Sequence, residues 1–234
     1  MTTTSRIITE SDAWAHPELG FTEPEVVPDH GYWRALKPSG FETPGTISKS
    51  FRTHERAGVL ATLKGVSDVY VTQNYFTQQR CTKDHVYCIP GAWVDLDIYR
   101  IPGLMEQSRP DLIRQLLAHC DDNEVPRPSY TIASGRGLYL KWRFTHPAEA
   151  TDKPRCDALN KALAQVFTSL GADTSAKDAA RILRPVGSVN GKSDTVVHVA
   201  HREEDAVGAP IRHDMVALHA AACATAPPDP CDPK

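Results

Sequence analysis

The stretch Ala92-Trp93-Val94-Asp95-Leu96-Asp97-Ile98 is an apolar run broken by two carboxylates one residue apart. Read as a strand, it sends Val94, Leu96 and Ile98 to one face and both aspartates to the other. Like charges side by side on a sheet repel. A divalent cation between them removes the repulsion, and carboxylate oxygens suit Mg²⁺ or Mn²⁺ while leaving positions for substrate phosphates. An isolated Asp-x-Asp reads more readily as a strand end whose aspartates face water. The rest of the chain reverses that preference.

Working outward, Val69-Tyr70-Val71-Thr72 predicts a preceding strand and residues 52–63 a short helix. Ser108-Arg109-Pro110-Asp111 predicts a helix start, with Ser108 as N-cap and Pro110 in the first turn. Leu112, Ile113, Leu116, Leu117 and Cys120 mark its apolar face. Residues 130–133 and 138–144 predict paired strands joined by Ser134-Gly135-Arg136-Gly137. In the second, Leu138, Leu140, Trp142 and Phe144 share the core face, and Tyr139, Lys141 and Arg143 the other. A helix over 154–170 points Leu159, Leu163, Val166, Phe167 and Leu170 inward and stops at Gly171. A short helix after Ser175 and a strand from Thr195 to Val199 follow. The β-α-β-β-α-β order predicts an α+β protein with an RRM-like (split βαβ) core and an additional N-terminal α/β segment.

Three divisions follow. Residues 1–50, rich in Pro, Gly, Thr and charge, with isolated aromatics at Trp14, Phe21, Tyr32 and Trp33, predict an irregular arm or part of a small lobe. Residues 51–209 form the core. Residues 210–234 predict a short Ala-rich helix and a tail or linker, Pro227-Pro228-Asp229-Pro230. A Pro-rich ending suggests a domain cut from a longer protein.

Composition narrows the class. The 234 residues are 41% hydrophobic and 24% charged, enough for one sizeable core. A net charge of -3 gives no global basic field, so strong sequence-blind coating of DNA is excluded, while a local basic groove is not. Cysteines at 81, 88, 120, 156, 223 and 231 are too sparse for a disulfide scaffold, which favours a reducing cytoplasm. No apolar run approaches the ~20 residues of a membrane span, and no signal pattern opens the chain.

Three clusters carry chemistry: Asp95 with Asp97, the Ser134–Gly137 turn, and the block from Asp173 to Lys192. Carboxylates bind metal, while a glycine turn with Arg136, Arg184 and Lys192 can grip polyphosphate. Metal plus triphosphate is the inventory of nucleotidyl transfer. Together with Arg181-Ile182-Leu183-Arg184-Pro185-Val186-Gly187-Ser188-Val189-Asn190-Gly191-Lys192, these motifs resemble those of the archaeo-eukaryotic primase superfamily, the primase-polymerases. The style is that of the plasmid and phage replication primases, and the resemblance covers about residues 69–199.

The resemblance implies a primase-polymerase catalytic core that makes primers on single-stranded DNA from NTPs or dNTPs. It implies two Mg²⁺ or Mn²⁺ ions on Asp95, Asp97 and a third carboxylate. Asp173 fits that third position; the runner-up, Asp178, is explained by capping of the short helix after Ser175. Ser134, Gly135, Arg136, Gly137, Tyr139, Arg181, Arg184, Ser188, Asn190 and Lys192 would contact the incoming nucleotide. The chain departs from the family at Tyr139, where many members carry histidine, and in the order Pro185-Val186-Gly187. Tyr99, Arg100, Lys141 and Arg143 are candidates for the template, and a fused or separate helicase or replication-initiator domain for a partner.

Cys81, His85 and Cys88 supply three of the four ligands a structural zinc needs, so no zinc is expected. Two rivals remain at this stage. A metal-dependent glycosyltransferase also uses Asp-x-Asp but leaves the 181–192 basic block unexplained. A non-catalytic replication or DNA-binding module is kept open by Tyr139 and Asn190.

Overall fold

The computed structural model describes residues 3–15, 27–38, 46–174 and 180–226. The strands are β1 (Thr4–Ile7), β2 (Tyr32–Pro38), β3 (Thr46–Arg52), β4 (Tyr70–Thr72), β5 (Tyr75–Phe76), β6 (Val86–Leu96), β7 (Tyr130–Ala133), β8 (Leu138–Glu149), β9 (Ile182–Leu183), β10 (Val189–Asn190), β11 (Thr195–Val196) and β12 (His198–Glu204). The helices are α1 (Glu10–Ala15), α2 (Arg56–Thr62), α3 (Arg109–Asp122), α4 (Lys153–Val166) and α5 (Met215–Thr225).

Among the described residues, ten strands form one sheet in the order β1-β12-β7-β8-β6-β5-β2-β4-β9, with β3 added on β2. The pairings within it are antiparallel. β6-α3-β7 is a split βαβ unit: β8 lies between the two strands, so β6 and β7 run parallel. β8 and β12 enclose β7 in the same way. β12 thus falls beyond β7, because the flank of β6 is taken by β5.

Alternation along β6 and β8 divides the sheet as the sequence predicts. Val94 and Leu96 on β6, and Leu138, Leu140, Trp142 and Phe144 on β8, are buried with Leu112, Ile113, Leu116 and Leu117 of α3 and Leu159, Leu163 and Val166 of α4. Both helices therefore cover one face. Ser108 caps α3 by accepting from the Asp111 N–H at 3.3 Å. Gly171, with φ +85°, ends the turn after α4. The opposite face carries Trp93, Tyr139, Tyr130 and Ile132, partly roofed by Leu183, Val197 and Val199.

Two segments differ from their sequence reading. The first 50 residues, expected as an irregular arm or part of a small lobe in an added N-terminal α/β segment, contribute β1, β2 and most of β3 to the main sheet itself. β1 pairs with β12 through Thr4↔Glu204, and β2 with β3 through Trp33↔Phe51. β6 begins at Val86 rather than at 92, running through Pro90-Gly91 at an irregularity in its pairing with β8. A Pro-Gly pair reads as a strand end, yet a bulge accommodates both residues. Gly91 is required there, since a Cβ would stand 2.3 Å from the Trp142 carbonyl oxygen. The short helix after Ser175, Asp178, and the 227–230 tail lie outside the described residues.

Candidate active site

Asp95 and Asp97 sit where β6 ends, and the chain after Gly171 returns to them. The Asp97 N–H donates to the Gly171 carbonyl at 2.8 Å, and the Asp173 N–H to the Asp95 carbonyl at 2.9 Å. Two backbone bonds thus fix Asp173 beside Asp95. The Arg181 guanidinium lies between them, 2.8 Å from Asp95 Oδ2 and 3.4 Å from Asp173 Oδ2. Asp97 pairs instead with Arg100 at 3.2 Å.

Burial pushes the Asp95 carboxyl above its usual range; the bond and charge of Arg181 pull it back, and Asp97 and Asp173 push it up again. Three acids at one strand end thus attract a cation, and an arginine supplies one here. The donor set is all carboxylate, which suits a hard divalent ion. Among the described residues, however, no three acidic, histidine or cysteine side chains converge as a preformed metal cage.

Beside the acids lies the β7–β8 turn. The Ser134 N–H donates to the Gly137 carbonyl at 3.1 Å, closing it. Both glycines are needed: a Cβ on Gly135 (φ +103°) would stand 2.5 Å from Asn190 Nδ2, and one on Gly137 would stand 2.4 Å from the Leu96 carbonyl. Asn190 Nδ2 donates to the Ser134 carbonyl at 2.7 Å, and Asn190 Oδ1 accepts from the Lys192 N–H at 3.1 Å. Arg136 reaches the Lys192 carbonyl at 3.2 Å. The 187–192 loop and the turn are therefore one unit.

The other predicted nucleotide contacts sort by burial. Ser188 is fully buried and donates to the Pro185 carbonyl at 2.7 Å. Tyr139 is buried next to Asp95 and Arg184, and burial raises its hydroxyl pKa above the usual value. Arg184 pairs with Asp68 Oδ1 at 3.1 Å and lies 4.6 Å from the Tyr70 ring centroid. Arg136 and Lys192 are exposed.

Of the template candidates, Tyr99 is 38% exposed and Arg100 is open to solvent, whereas Lys141 and Arg143 are buried. Arg143 is only 7% exposed, and its Nε and Nη2 lack hydrogen-bond partners among the described residues. It stands with Lys141, Trp93 and Gln73 around a small cleft on the site face. Trp93 Nε1 is likewise unpartnered there.

Asp68 and Arg109 carry roles that the sequence reading missed. Asp68, at φ +52°, accepts from the Gly191 N–H at 3.2 Å as well as binding Arg184. Arg109 donates to the Gly135 carbonyl at 3.0 Å, bracing the turn from the helix side. A lone aspartate before a strand gives no signal; Arg109 at a helix start reads as ordinary. Cys81 and Cys88 belong to different apolar clusters, and His85 Nδ1 is 2.7 Å from the Thr82 hydroxyl.

No protein-family model matches the chain. A replication protein of Clostridium perfringens is 33% identical over 138 residues, or 58% of this chain and 32% of that protein. The chain thus spans about a third of the length of that curated relative (32%). The AEP domain of the cyanophage S-2L primase-polymerase aligns with a TM-score of 0.52 at 12% identity, covering 85% of this chain and 89% of that one. The primase RepB′ aligns with a TM-score of 0.45 at 14% identity, over 84% of this chain and 58% of that one. The mixed α/β, mostly antiparallel architecture is that of primase-polymerase AEP domains, the fold the sequence motifs implied.

Proposed function

We propose that this chain is the catalytic domain of a replication primase or primase-polymerase serving a plasmid or phage replicon in the cytoplasm. The observation that carries the reading is the Arg181 bridge: a cation held between Asp95 and Asp173, next to an arginine- and glycine-lined turn. Asp95, Asp97 and Asp173 would hold Mg²⁺ or Mn²⁺, which when bound offsets charge on the triphosphate and acidifies the attacking hydroxyl. Arg181, held here by Asp95 and Asp173, would then be available to the nucleotide's phosphates.

The chain's own residues then bind and orient. Arg136, Lys192 and the backbone of the Ser134–Gly137 turn cradle the triphosphate, and Arg184, anchored by Asp68, fixes the floor of that cradle. A 3′-hydroxyl oxygen bonds to the α-phosphorus while the bond to the β-phosphate oxygen breaks and pyrophosphate leaves. Lys141 and Arg143 present buried cationic groups to the template's phosphates. With a net charge of -3, affinity for DNA is modest and salt-sensitive.

The test is primer synthesis on circular single-stranded DNA with labelled nucleotides and Mg²⁺ or Mn²⁺, wild type beside Asp95→Ala. Oligomers present with the wild type and absent with the variant support the proposal. A second reading is a DNA-binding module whose Arg181 permanently neutralises the acids, favoured by the contacts of Arg181 with Asp95 and Asp173. DNA binding without incorporation or metal binding would select it.

A further inference from the structure

Asp95 divides the site face lengthwise. On one side of it lies the nucleotide cradle: Gly137 packs against the Leu96 carbonyl, so the Ser134–Gly137 turn stands beyond the acids. On the other side, the paired rows Trp93↔Lys141 and Gly91↔Arg143 continue along β6 and β8. At ~3.4 Å per residue, Trp93 and Gly91 stand ~7 and ~13 Å along the strand from Asp95. We infer that the cleft over these rows clamps one backbone phosphate of the template, on its already copied 3′ side, and so sets the template's register against the acids; this rests on the primase reading above.

The cleft is walled by residues 90–93 of β6, Lys141 and Arg143 of β8, and Gln73, and no carboxylate lines it. Three N–H donors there lack a hydrogen-bond partner among the described residues: Nε and Nη2 of Arg143 and Nε1 of Trp93. Both side chains are more than nine-tenths buried. A cation and an indole N–H left unsatisfied away from water cost free energy, so an oxyanion that accepts from both is the expected complement. Nε and Nη2 form one side of the guanidinium fork, the geometry that meets phosphate. The space amounts to about 10 Å³, room for one oxygen atom. A non-bridging oxygen of a diester can enter it while the two ester links stay outside with the strand.

Position decides which phosphate this is. In-line displacement puts the attacking 3′-oxygen and the departing pyrophosphate on opposite sides of the α-phosphorus. With the pyrophosphate in the cradle, the copied part of the template leads away from the acids over Trp93 and Arg143. The incoming nucleotide's own phosphates point the other way. Gln73, in the cleft wall, donates its backbone N–H to the Arg181 carbonyl at 3.1 Å, which ties the cleft to the loop that meets the acids. A phosphate gripped there holds the next base at a fixed distance from the metal ligands.

The test is extension of a pre-annealed primer with labelled nucleotides and Mg²⁺ or Mn²⁺, on templates of one sequence that each carry a single neutral methylphosphonate link. The link is stepped along the template on both sides of the templating base and, in a second set, along the primer. The proteins are wild type, Arg143→Met and Trp93→Phe. In the wild type, one template link on the copied side should lower extension about tenfold or more, with the others within about twofold. In Arg143→Met that link should cost no more than its neighbours, and in Trp93→Phe its penalty should shrink. A penalty spread evenly over the template, confined to the primer, or undiminished in the folded variants overturns the inference and leaves the primase reading standing. A wild type inactive on the unmodified template overturns both. Trp93→Phe keeps an aromatic ring in the apolar cluster of Tyr130 and Tyr139, so it remains informative should Arg143→Met fail to fold.

Discussion

The two faces of β6 and β8 are made by alternate residues of the same strands, yet they solve different problems. One face buries Val94, Leu96, Leu138, Leu140, Trp142 and Phe144 under two helices. Even its indole is satisfied, Trp142 Nε1 donating to the Pro126 carbonyl at 2.7 Å. The other carries Trp93, Asp95, Tyr139, Lys141 and Arg143. Every unpartnered buried side-chain polar atom on these two strands lies on that second face, at Trp93 and Arg143. Close-packed apolar burial stabilises the fold, whereas polar groups without partners cost free energy and are retained where a ligand completes them.

The sharpest way to break this contrast is one substitution on each face. Asp95→Asn removes a charge from the acid cluster and leaves Arg181 its contact with Asp173. Nucleotide incorporation is expected to fall by about 10³-fold, about 4 kcal/mol of transition-state stabilisation, with the thermal midpoint nearly unchanged. Trp142→Ala, fully buried on the helix face, is expected to cost about 3–5 kcal/mol of stability. Denaturant titration beside an incorporation assay reads both. If Asp95→Asn unfolds the protein, the division of labour between the faces is wrong.

Next in size is a pH effect at the far end of the sheet. His213 is tied to β8 through its N–H to the Arg143 carbonyl at 2.8 Å. Burial lowers its pKa from 6.5 to about 4. Below pH 6.5 the unfolded chain takes up a proton that the folded chain refuses until about pH 4. Stability is therefore complete above 6.5 and declines as pH falls to about 4, by about 3 kcal/mol at most. His213→Gln should flatten the stability profile across that window; an unchanged slope would assign the acid sensitivity to other groups.

How far the contrast was legible follows from its period. Alternation of two assigns each side chain of residues 92–98 and 138–144 to a face without reference to anything else, and the structure keeps those assignments. Asp173 was preferred over Asp178 because capping of the next short helix accounts for Asp178, and the structure sets the Asp173 N–H against the Asp95 carbonyl. The strands of the first 50 residues were hidden because they lie in a stretch rich in Pro, Gly and Thr, and their pairings, β1 on β12 and β2 on β3, exist only in the fold. The start of β6 was hidden by Pro90-Gly91, whose bulge exists only once β8 lies alongside. Asp68 and Arg109 could not be read because their partners are 116 and 26 residues away in sequence.

A smaller effect probes the join between cradle and acids. Gly135→Ala puts a Cβ against Asn190 at a positive φ, so the turn must shift. A stability loss of about 1–3 kcal/mol is expected, with a rise in the KM for the incoming nucleotide exceeding any change in kcat. An increase in kcat alone would show that the turn restrains chemistry rather than holding phosphate.

The smallest expected effect discriminates best, because its sign is unusual. Arg143 is a buried guanidinium with no acidic partner among the described residues, so in the free protein it is a liability. Arg143→Met keeps the aliphatic bulk and removes the charge. Thermal stability should rise by about 1 kcal/mol, the gain seen when unpaired buried polarity gives way to packing. Binding to single-stranded DNA should weaken, and the dependence of affinity on salt should become shallower by about one phosphate contact. Titrations at several salt concentrations, beside a melting curve, measure both. A destabilised variant with unaltered DNA binding would make Arg143 a structural residue and move the template path elsewhere. A stabilised variant that binds DNA less well would mean that the site face keeps its unpaired cation for the template's phosphates.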